Sequence, residues 1–248
     1  MSERTPVAVI GARGRMGSAA VRALGEAADL QVVGTFEHGD ALGDLGGARV
    51  VVELTTPDAS PANVAYCVFA GVHVVVGTTG WSPARLQTLE EQLREAPGVN
   101  VLIAPNFSLG ALLMMSFAQR AAAFYESVEV VETHHPDKVD APSGTAARTA
   151  SLIAAARADA GLGGLPDATA SDPDGARGAL VAGIPVHSLR MRGRVAHQEV
   201  AFGAPGEALT IRHDSFDRVS FMPGILAAVR AIADRPGLTV GLEQLLNL

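Results

Sequence analysis

Val7-Ala-Val-Ile-Gly11-Ala-Arg-Gly-Arg-Met-Gly17 decides the fold of this chain. Four apolar residues end at a glycine, as a buried parallel strand does, and a helical pattern follows from Met16 to about residue 28. A second strand-like run, 31–36, ends at Glu37. A strand, a glycine-rich turn, a helix and a second strand ending in an acid indicate a dinucleotide-binding βαβ unit, here with G-x-x-G-x-x-G spacing rather than G-x-G-x-x-G.

The glycine-rich turn also indicates which ligand it would hold. Glycines let the backbone approach a pyrophosphate closely, and the N-terminus of the following helix offers unpaired N–H groups to it. Arg13 and Arg15 suit the 2′-phosphate of NADPH, whereas Glu37 suits the free 2′-hydroxyl of NADH. The turn therefore predicts NADH, NADPH or both, and a glycine-rich turn that only packs the helix on the strand is the alternative.

The alternation of strands and helices continues to about residue 106. Strand-like runs at 50–54, 73–76 and 100–104 end in small or polar residues, namely Thr55-Thr56, Gly77-Thr78-Thr79 and Ala104-Pro105-Asn106-Phe107. Ligands of doubly wound sheets bind at the carboxyl ends of strands. These three loops therefore predict contacts to a nicotinamide ribose and ring, with ordinary loop chemistry as the alternative.

The pattern changes after Leu109. A long apolar helix to about residue 125, a strand at 128–132 and a helix at 145–160 precede a turn-rich segment, 161–178, which we expect to be mobile or to act as a lid. Three strand-like runs at hairpin spacing then predict an antiparallel meander: 184–192, 195–202 and 208–214. A helix at 217–235 and an apolar tail at 238–248 follow, and we expect the tail to pack on the first domain.

Together these elements predict an α/β fold in two domains. The first is a Rossmann-like, doubly wound parallel sheet formed by residues 1–106 and completed by residues 217–248. The second, residues 107–216, is an α+β domain built on an antiparallel or mixed sheet.

The most polar stretch of the second domain is His134-His135-Pro-Asp137-Lys138-Val-Asp140-Ala-Pro-Ser143-Gly144-Thr145. Lys138 is the sole lysine among 19 Lys and Arg residues, so this position is predicted to need an ammonium that can release a proton. A histidine with a pKa near ~6.5 can donate or accept a proton, and Ser143-Gly144-Thr145 opens a helix whose amides suit an anion. The stretch predicts a site that grips a small dianion and supplies a proton, with Asp137 and Asp140 only stabilising the turn.

Composition and charge argue against several classes of function. A net charge of −7 without a basic cluster does not favour nucleic acid or an anionic membrane surface as the partner, and no apolar run reaches the ~18 residues of a membrane span. Cys67 is the only cysteine, which precludes an intrachain disulfide and is compatible with a reducing cytoplasm. No secretory signal pattern is visible, so we expect a cytoplasmic protein.

The stretch from His134 to Ala146 resembles the signature of the 4-hydroxy-tetrahydrodipicolinate reductase (dihydrodipicolinate reductase) family. Four further blocks, 9–17, 76–80, 104–110 and 213–224, resemble that family's other blocks in the same order. The resemblance implies NAD(P)H-dependent reduction of 4-hydroxy-tetrahydrodipicolinate to tetrahydrodipicolinate with loss of water, in the diaminopimelate route to lysine. It also implies a homotetramer in which the 107–216 domain binds substrate and joins its sheet to those of other copies.

The resemblance also assigns roles to residues. His134 and Lys138 would be the catalytic proton carriers, and the substrate would contact His135, Ser143, Gly144 and Thr145. The cofactor would be lined by Gly11, Ala12, Arg13, Gly14, Arg15, Met16, Glu37, Gly77, Thr78, Thr79, Ala104, Pro105, Asn106 and Phe107. Many relatives carry Arg after the acidic residue, where this chain has His38, and this departure leaves the preference between NADH and NADPH open.

Three other functions compete with this interpretation. One is another Rossmann-type reductase acting on a small carboxylated imine or carbonyl substrate; a semialdehyde dehydrogenase would need a nucleophilic cysteine, and Cys67 is predicted to lie mid-helix. A metal-dependent hydrolase using His134, His135, Asp137 and Asp140 lacks the usual zinc spacing, so no metal is expected. A nucleotide-sensing regulator would leave the sole lysine unexplained.

Overall fold

The computed structural model describes residues 4–37 and 39–245, with the exception of the side chain of residue 244. His38, on which the choice of nucleotide was expected to depend, therefore lies outside the described residues. The chain divides into two compact units, which we call unit 1 (Met1–Leu109 with Arg218–Leu248) and unit 2 (Gly110–Asp217).

Helices and strands alternate regularly in the first part of the chain and less regularly afterwards. Unit 1 begins with β1 (Thr5–Ile10), α1 (Arg15–Glu26), β2 (Leu30–Phe36), β3 (Val50–Glu53), α2 (Ser60–Phe69), β4 (His73–Val76), α3 (Pro83–Glu95) and β5 (Asn100–Ile103). Then follow α4 (Leu109–Ala121), β6 (Ser127–His134), α5 (Gly144–Asp159), β7 (Ala179–Val181), β8 (Ile184–Arg190), β9 (Ala196–Ala204) and β10 (Glu207–Ser215). The chain returns to unit 1 with α6 (Met222–Ala231) and β11 (Gly237–Val240).

Unit 1 is a Rossmann-like parallel sheet with the strand order β11-β5-β4-β3-β1-β2. From β1 the chain adds β2 on one side and then β3, β4 and β5 on the other, so the strand order reverses between β1 and β3. All residues of β3 and β5 are buried. Both faces of a parallel sheet are covered, which explains why three consecutive residues of each strand are apolar. Helix α1 packs with α6, and α2 packs with α3.

The C-terminal tail completes this sheet as its sixth strand. Strand β11 pairs in parallel with β5 from Gly237 opposite Asn100 to Val240 opposite Ile103. The buried amide of Asn100 donates to the carbonyls of Ile232 and Ala233, and its oxygen accepts from the N–H of Gly237. Asn100 therefore fixes the entry into β11, and the tail becomes part of the sheet rather than packing on its surface.

Unit 2 is built on a five-stranded mixed sheet with the strand order β10-β9-β6-β8-β7. The predicted meander is wrong for β8, because β6 lies between β8 and β9, parallel to β8 and antiparallel to β9. The short connection after β8 crosses the end of β6, where the N–H of Met191 donates to the carbonyl of His134 over 2.9 Å. The hairpin-like spacing of β8 and β9 in the sequence therefore did not reveal that β6 lies between them.

The turn-rich segment 161–178 is anchored near both of its ends. The buried Arg157 donates to the carbonyls of Tyr125, Glu126 and Gly163. At the other end, Arg177 forms ion pairs with Glu129 and Asp167. Strand β7 starts directly after these contacts. Among the described residues, no helix combines the length and apolar character needed to cross a bilayer.

Candidate active site

The carboxyl end of β6 carries the first predicted catalytic residue, His134, as its last strand residue. Because side chains alternate along a strand, Val128, Val130, Glu132 and His134 share one face. Val128 and Val130 form part of the core of unit 2, so Glu132 enters the same interior and is 0% exposed. The apolar pattern of β6 thus directs an ionisable pair inward.

Glu132 accepts hydrogen bonds at both carboxylate oxygens. Its Oε2 lies 2.5 Å from Nδ1 of His134 and 2.9 Å from Nη1 of Arg190 on β8. Its Oε1 lies 3.1 Å from Nη2 of Arg190 and 3.2 Å from the N–H of Ser143. Arg190 is therefore bidentate on Glu132, a geometry that a guanidinium provides and an ammonium does not.

The electrostatics of this group leave Glu132 ionised and His134 neutral at pH 7. Burial raises the pKa of Glu132, but hydrogen bonds from Arg190, Ser188 and His134 outweigh it and hold the pKa below its usual range. Burial is the largest influence on His134 and lowers its pKa; Glu132 opposes this shift, while Lys138 and Arg190 add to it. Since an ionised carboxylate only accepts, Nδ1 of His134 carries the proton and Nε2 is an acceptor.

Lys138 lies in the turn that follows β6. The backbone N–H of Lys138 donates to the carbonyl of His135 over 3.2 Å. The ammonium nitrogen, Nζ, lies 2.7 Å from Oδ1 of Asp140. Asp140 was expected only to stabilise the turn. The structure shows in addition that its carboxylate forms an ion pair with the sole lysine. His135 is half-buried, whereas Asp137 is exposed.

The predicted anion site is the N-terminus of α5. Ser143 is the N-cap, and its hydroxyl accepts from the N–H of Ala146 over 3.1 Å. Ser143 is buried at 2% exposure, whereas Gly144 is exposed and Thr145 half-buried. The cap therefore gives the Ser143 hydroxyl a structural role and leaves Gly144 and Thr145 as the accessible members of the trio.

In unit 1, the glycine-rich turn between β1 and α1 has no room for side chains at two positions. A Cβ on Gly11, whose φ is +83°, would lie 2.5 Å from the carbonyl oxygen of Leu54. A Cβ on Gly17 would lie 2.0 Å from the carbonyl oxygen of Gly11. The turn thus packs against both the end of β3 and the start of α1, as the dinucleotide fingerprint requires.

The remaining predicted residues of this turn lie around the start of α1. Arg13, Gly14 and Arg15 are exposed, Met16 is half-buried and Ala12 is buried. Glu37, directly after β2, accepts a short hydrogen bond from the N–H of Arg13. The structure therefore brings the acidic residue to the turn, as the βαβ pattern predicted.

The loops after β4 and β5 contain both accessible and buried predicted residues. Thr79 and Pro105 are exposed, while Gly77 and Asn106 are half-buried. Thr78, Ala104 and Phe107 are buried. A Cβ on Gly77 would lie 2.9 Å from the Phe107 ring, so this ring packs between loops, and its contact to a cofactor is correspondingly limited.

Sequence reasoning missed two buried carboxylates and Arg190. Glu53, 0% exposed at the end of β3, accepts from Ser60 over 2.7 Å, from the Thr55 hydroxyl and from Asn63 over 3.3 Å. A single acid inside the apolar run 50–54 was the available signal for Glu53. Strand β6 gives a weaker signal for Glu132, because it contains two acids, Glu129 and Glu132. No such signal exists for Arg190, which lies 58 residues from Glu132 in the chain.

The described residues contain no group of three His, Cys, Asp or Glu side chains arranged to hold a metal ion. Two members of the quartet considered for a hydrolase have other partners: His134 contacts Glu132, and Asp140 contacts Lys138.

Comparison with known proteins matches the whole chain to one family. Residues 5–107 match the family model "Dihydrodipicolinate reductase, N-terminus", and residues 110–246 match "Dihydrodipicolinate reductase, C-terminus". The 4-hydroxy-tetrahydrodipicolinate reductase of Cutibacterium acnes is 59% identical over 242 residues, and that of Streptomyces griseus is 60% identical over 244 residues, with 98% of each chain covered in both cases. The structure of dipicolinate-bound dihydrodipicolinate reductase from Paenisporosarcina sp. TG-14 superposes with a TM-score of 0.84 at 34% identity, covering 97% of this chain and 99% of that one.

Proposed function

The chain belongs to the dihydrodipicolinate reductase family, and from this premise we propose that it reduces 4-hydroxy-tetrahydrodipicolinate with NADH or NADPH. In this reaction the ring loses its hydroxyl together with one ring hydrogen as water, and a hydride and a proton then add to the ring. The products are tetrahydrodipicolinate, NAD(P)⁺ and water, which places the reaction in the diaminopimelate route to lysine. The observation that carries the proposal is that His134 and the N-terminus of α5 both contact Glu132, with Lys138 in the turn between them.

Unit 1 would bind the dinucleotide, which supplies the hydride. The fit rests on the glycine-rich turn, where added Cβ atoms at Gly11 and Gly17 would collide with backbone, and on Glu37 beside the N–H of Arg13. The Glu37 carboxylate would accept from a ribose hydroxyl, which favours NADH, whereas the exposed Arg13 and Arg15 suit the extra phosphate of NADPH. We therefore propose that both nucleotides are used.

Unit 2 would bind the dicarboxylate substrate. Gly144 and Thr145 would present the positive end of the α5 dipole to one carboxylate. Lys138 adds a cation within the same turn, and His135 would offer a further polar contact. Because Ser143 is buried and caps α5, its contribution would come through the helix geometry.

The protonation states divide the proton chemistry between two residues. The ammonium of Lys138, which forms an ion pair with Asp140, would donate the proton that the ring takes up. His134 is neutral because burial lowers its pKa, and its Nε2 would accept a hydrogen bond or a proton. Positioned acid–base groups of this kind contribute roughly 10²–10⁴-fold to a rate.

We further propose that four copies assemble through the face of the unit 2 sheet opposite to Glu132. That face carries the partly exposed Val131, Thr133 and Leu189, in a register that pairs Val131 with His187 and Thr133 with Leu189. Multi-angle light scattering should give four times the chain mass of 25.5 kDa. A monomeric mass at assay concentration would contradict the tetramer.

We place the enzyme in the cytoplasm, since it would draw on the cellular NAD(P)H pool. The single cysteine, Cys67, is free and buried, in keeping with a reducing compartment. Cell fractionation with an antibody against the protein would test this location, and recovery in the membrane or secreted fraction would contradict it.

A coupled assay tests the activity. Dihydrodipicolinate synthase, pyruvate and aspartate semialdehyde would generate the substrate in situ, and loss of NADH or NADPH absorbance would be followed at 340 nm. We expect oxidation of either nucleotide only when the synthase is present. No oxidation with either nucleotide would refute the proposal, and oxidation with simple carbonyl compounds instead would favour the alternative reductase.

A further inference from the structure

We propose that Glu132 and Arg190 are positioning residues that fix the proton on His134 and hold the turn that carries Lys138. The catalytic meaning of this arrangement rests on the function proposed above, whereas its geometry does not. We call the group formed by Glu132, Arg190, His134 and Ser143 the carboxylate hub.

Both carboxylate oxygens of Glu132 accept hydrogen bonds within the carboxylate hub. Each oxygen accepts from two donors, Oε2 from His134 and Arg190 and Oε1 from Arg190 and Ser143, at distances of 2.5 to 3.2 Å. An ionised carboxylate offers about four lone-pair directions and no proton. His134 can therefore meet Oε2 only through an Nδ1–H, which leaves Nε2 as its working nitrogen.

The same hub anchors the turn 135–143 at both ends. His134 contacts Glu132 at the start of the turn, and the N–H of Ser143 contacts Glu132 at its end. Between them, Nη2 of Arg190 donates to the carbonyl of Asp140 over 2.7 Å. Since the Asp140 side chain accepts from Lys138 over 2.7 Å, Arg190 determines where the ammonium lies.

Stability alone is a poor explanation for such a group. Glu132 is fully buried and the Arg190 side chain is 22% exposed. Replacing a buried ion pair by apolar residues of similar volume is often neutral or stabilising, because the desolvation cost offsets the attraction between the charges. A hub whose members converge on His134 and on the Lys138 turn is better explained by positioning.

Glu132→Gln tests the first half of the proposal. The substitution keeps the shape of the side chain but replaces one carboxylate oxygen with an NH₂ donor. With Oε1 kept for Ser143 and Nη2 of Arg190, the NH₂ group faces both Nδ1 of His134 and Nη1 of Arg190. Arg190 has no acceptor, so Nδ1 of His134 must accept and the proton moves to Nε2. We expect ¹⁵N-histidine NMR to show His134 as Nδ1–H in the wild type and as Nε2–H in Glu132→Gln, with the signal assigned through His134→Asn.

The expected kinetic result for Glu132→Gln is a fall in kcat of about 10²–10⁴-fold, the range for loss of a positioned acid–base group, with the KM for NADH unchanged.

A matched control for Glu132→Gln lies on the same strand. Glu129, three residues earlier and therefore on the opposite face, lies 2.5 Å from Nε2 of His187. Glu129→Gln should alter the His187 signal and leave the His134 tautomer unchanged, and its kcat is compared with wild type only at equal oligomeric mass, because Glu129 lies on the proposed assembly face.

Arg190→Lys tests whether Arg190 holds the turn that carries Lys138. It keeps the positive charge, and it provides an independent test if Glu132→Gln fails to fold. A lysine cannot bind the carboxylate in bidentate fashion and reach the carbonyl of Asp140 at the same time. We expect the His134 tautomer to persist, because Glu132 remains, and kcat to fall by about 10²-fold, as for a displaced reactive group. A folded Arg190→Lys enzyme with wild-type kcat would overturn the anchoring role.

An unchanged His134 tautomer in folded Glu132→Gln would overturn the hub whatever the substrate is, because the NMR readout needs no turnover. A wild-type enzyme that shows the Nδ1–H signal but no coupled activity would instead refute the proposed function and leave the hub geometry standing.

Discussion

Helix α1 contains two glycines for which the same substitution should have opposite effects. Gly17 faces the turn at the start of the helix, and a Cβ there would lie 2.0 Å from the carbonyl oxygen of Gly11 and 2.9 Å from the Cα of Ala12. Gly25 lies near the end of the same helix, and a Cβ there would meet nothing within 4 Å. Gly25→Ala is thus the matched control for Gly17→Ala.

The magnitudes follow from these contacts. Alanine in place of a helical glycine stabilises by roughly 0.5–1 kcal/mol, so Gly25→Ala should raise Tm by about 1–4 °C at 2–4 °C per kcal/mol for a chain of this size. At Gly17 the same gain is opposed by overpacking of about 1–3 kcal/mol. The clash is with backbone, which cannot rotate away, so the net effect of Gly17→Ala should be destabilising.

The nucleotide affinity should separate the two variants further. Relief of the clash must displace the Gly11 turn, so we expect Gly17→Ala to weaken NADH binding by about tenfold or more, equivalent to 1.4 kcal/mol, and Gly25→Ala to leave it unchanged. Thermal melting gives the stabilities, and quenching of the fluorescence of Trp81, the only tryptophan, gives the affinity. Wild-type stability and affinity in Gly17→Ala would refute this account of the turn.

Three further predictions concern single groups. Lys138→Arg keeps the charge but not a readily released proton, so kcat should fall by roughly 10²–10⁴-fold with substrate binding partly retained; near-normal turnover in the coupled assay would contradict this. Burial raises the pKa of the Cys67 thiol to about 12, so a thiol reagent at pH 8 should label it only after denaturation, and stoichiometric labelling of native protein would disprove this. Hydrogen bonds from Arg212 and His197 hold the pKa of Asp214 below its usual range, so its stabilising effect should be present above pH ~4 and lost as pH falls further; urea unfolding of Asp214→Asn should show a larger stability deficit at pH 7 than at pH 3.

The sequence predicted most of unit 1 because its central strands contain short apolar runs and its loops carry turn residues. The position of Glu37 beside the glycine-rich turn followed from the same pattern and is seen in its contact with Arg13. The return of residues 217–248 to the first domain was predicted, but the strand at 237–240 was not. A strand of four residues has no partner in the neighbouring sequence, and this one pairs with β5, more than 130 residues earlier.

In unit 2, the sequence predicted only those site residues that lie close together along the chain. His134, Lys138 and Ser143 lie within ten residues of one another, and their chemistry is visible in the motif. The carboxylate hub was not predictable, because Arg190 joins Glu132 only through the parallel pairing of β6 with β8, and hairpin spacing had indicated that β8 pairs with β9. The wrong strand order therefore left the contact between Glu132 and Arg190 unpredicted.

The position of β11 has a consequence for protein synthesis. The ribosome makes the chain from the N-terminus, so β1 to β5 emerge first, all of unit 2 follows, and residues 237–240 come after both. Until then β5 is an edge strand, and the amide of Asn100 lacks Ile232, Ala233 and Gly237 as partners. An exposed parallel edge can pair with other chains, so nascent unit 1 presents an unprotected strand edge in the interval between translation of β5 and of β11.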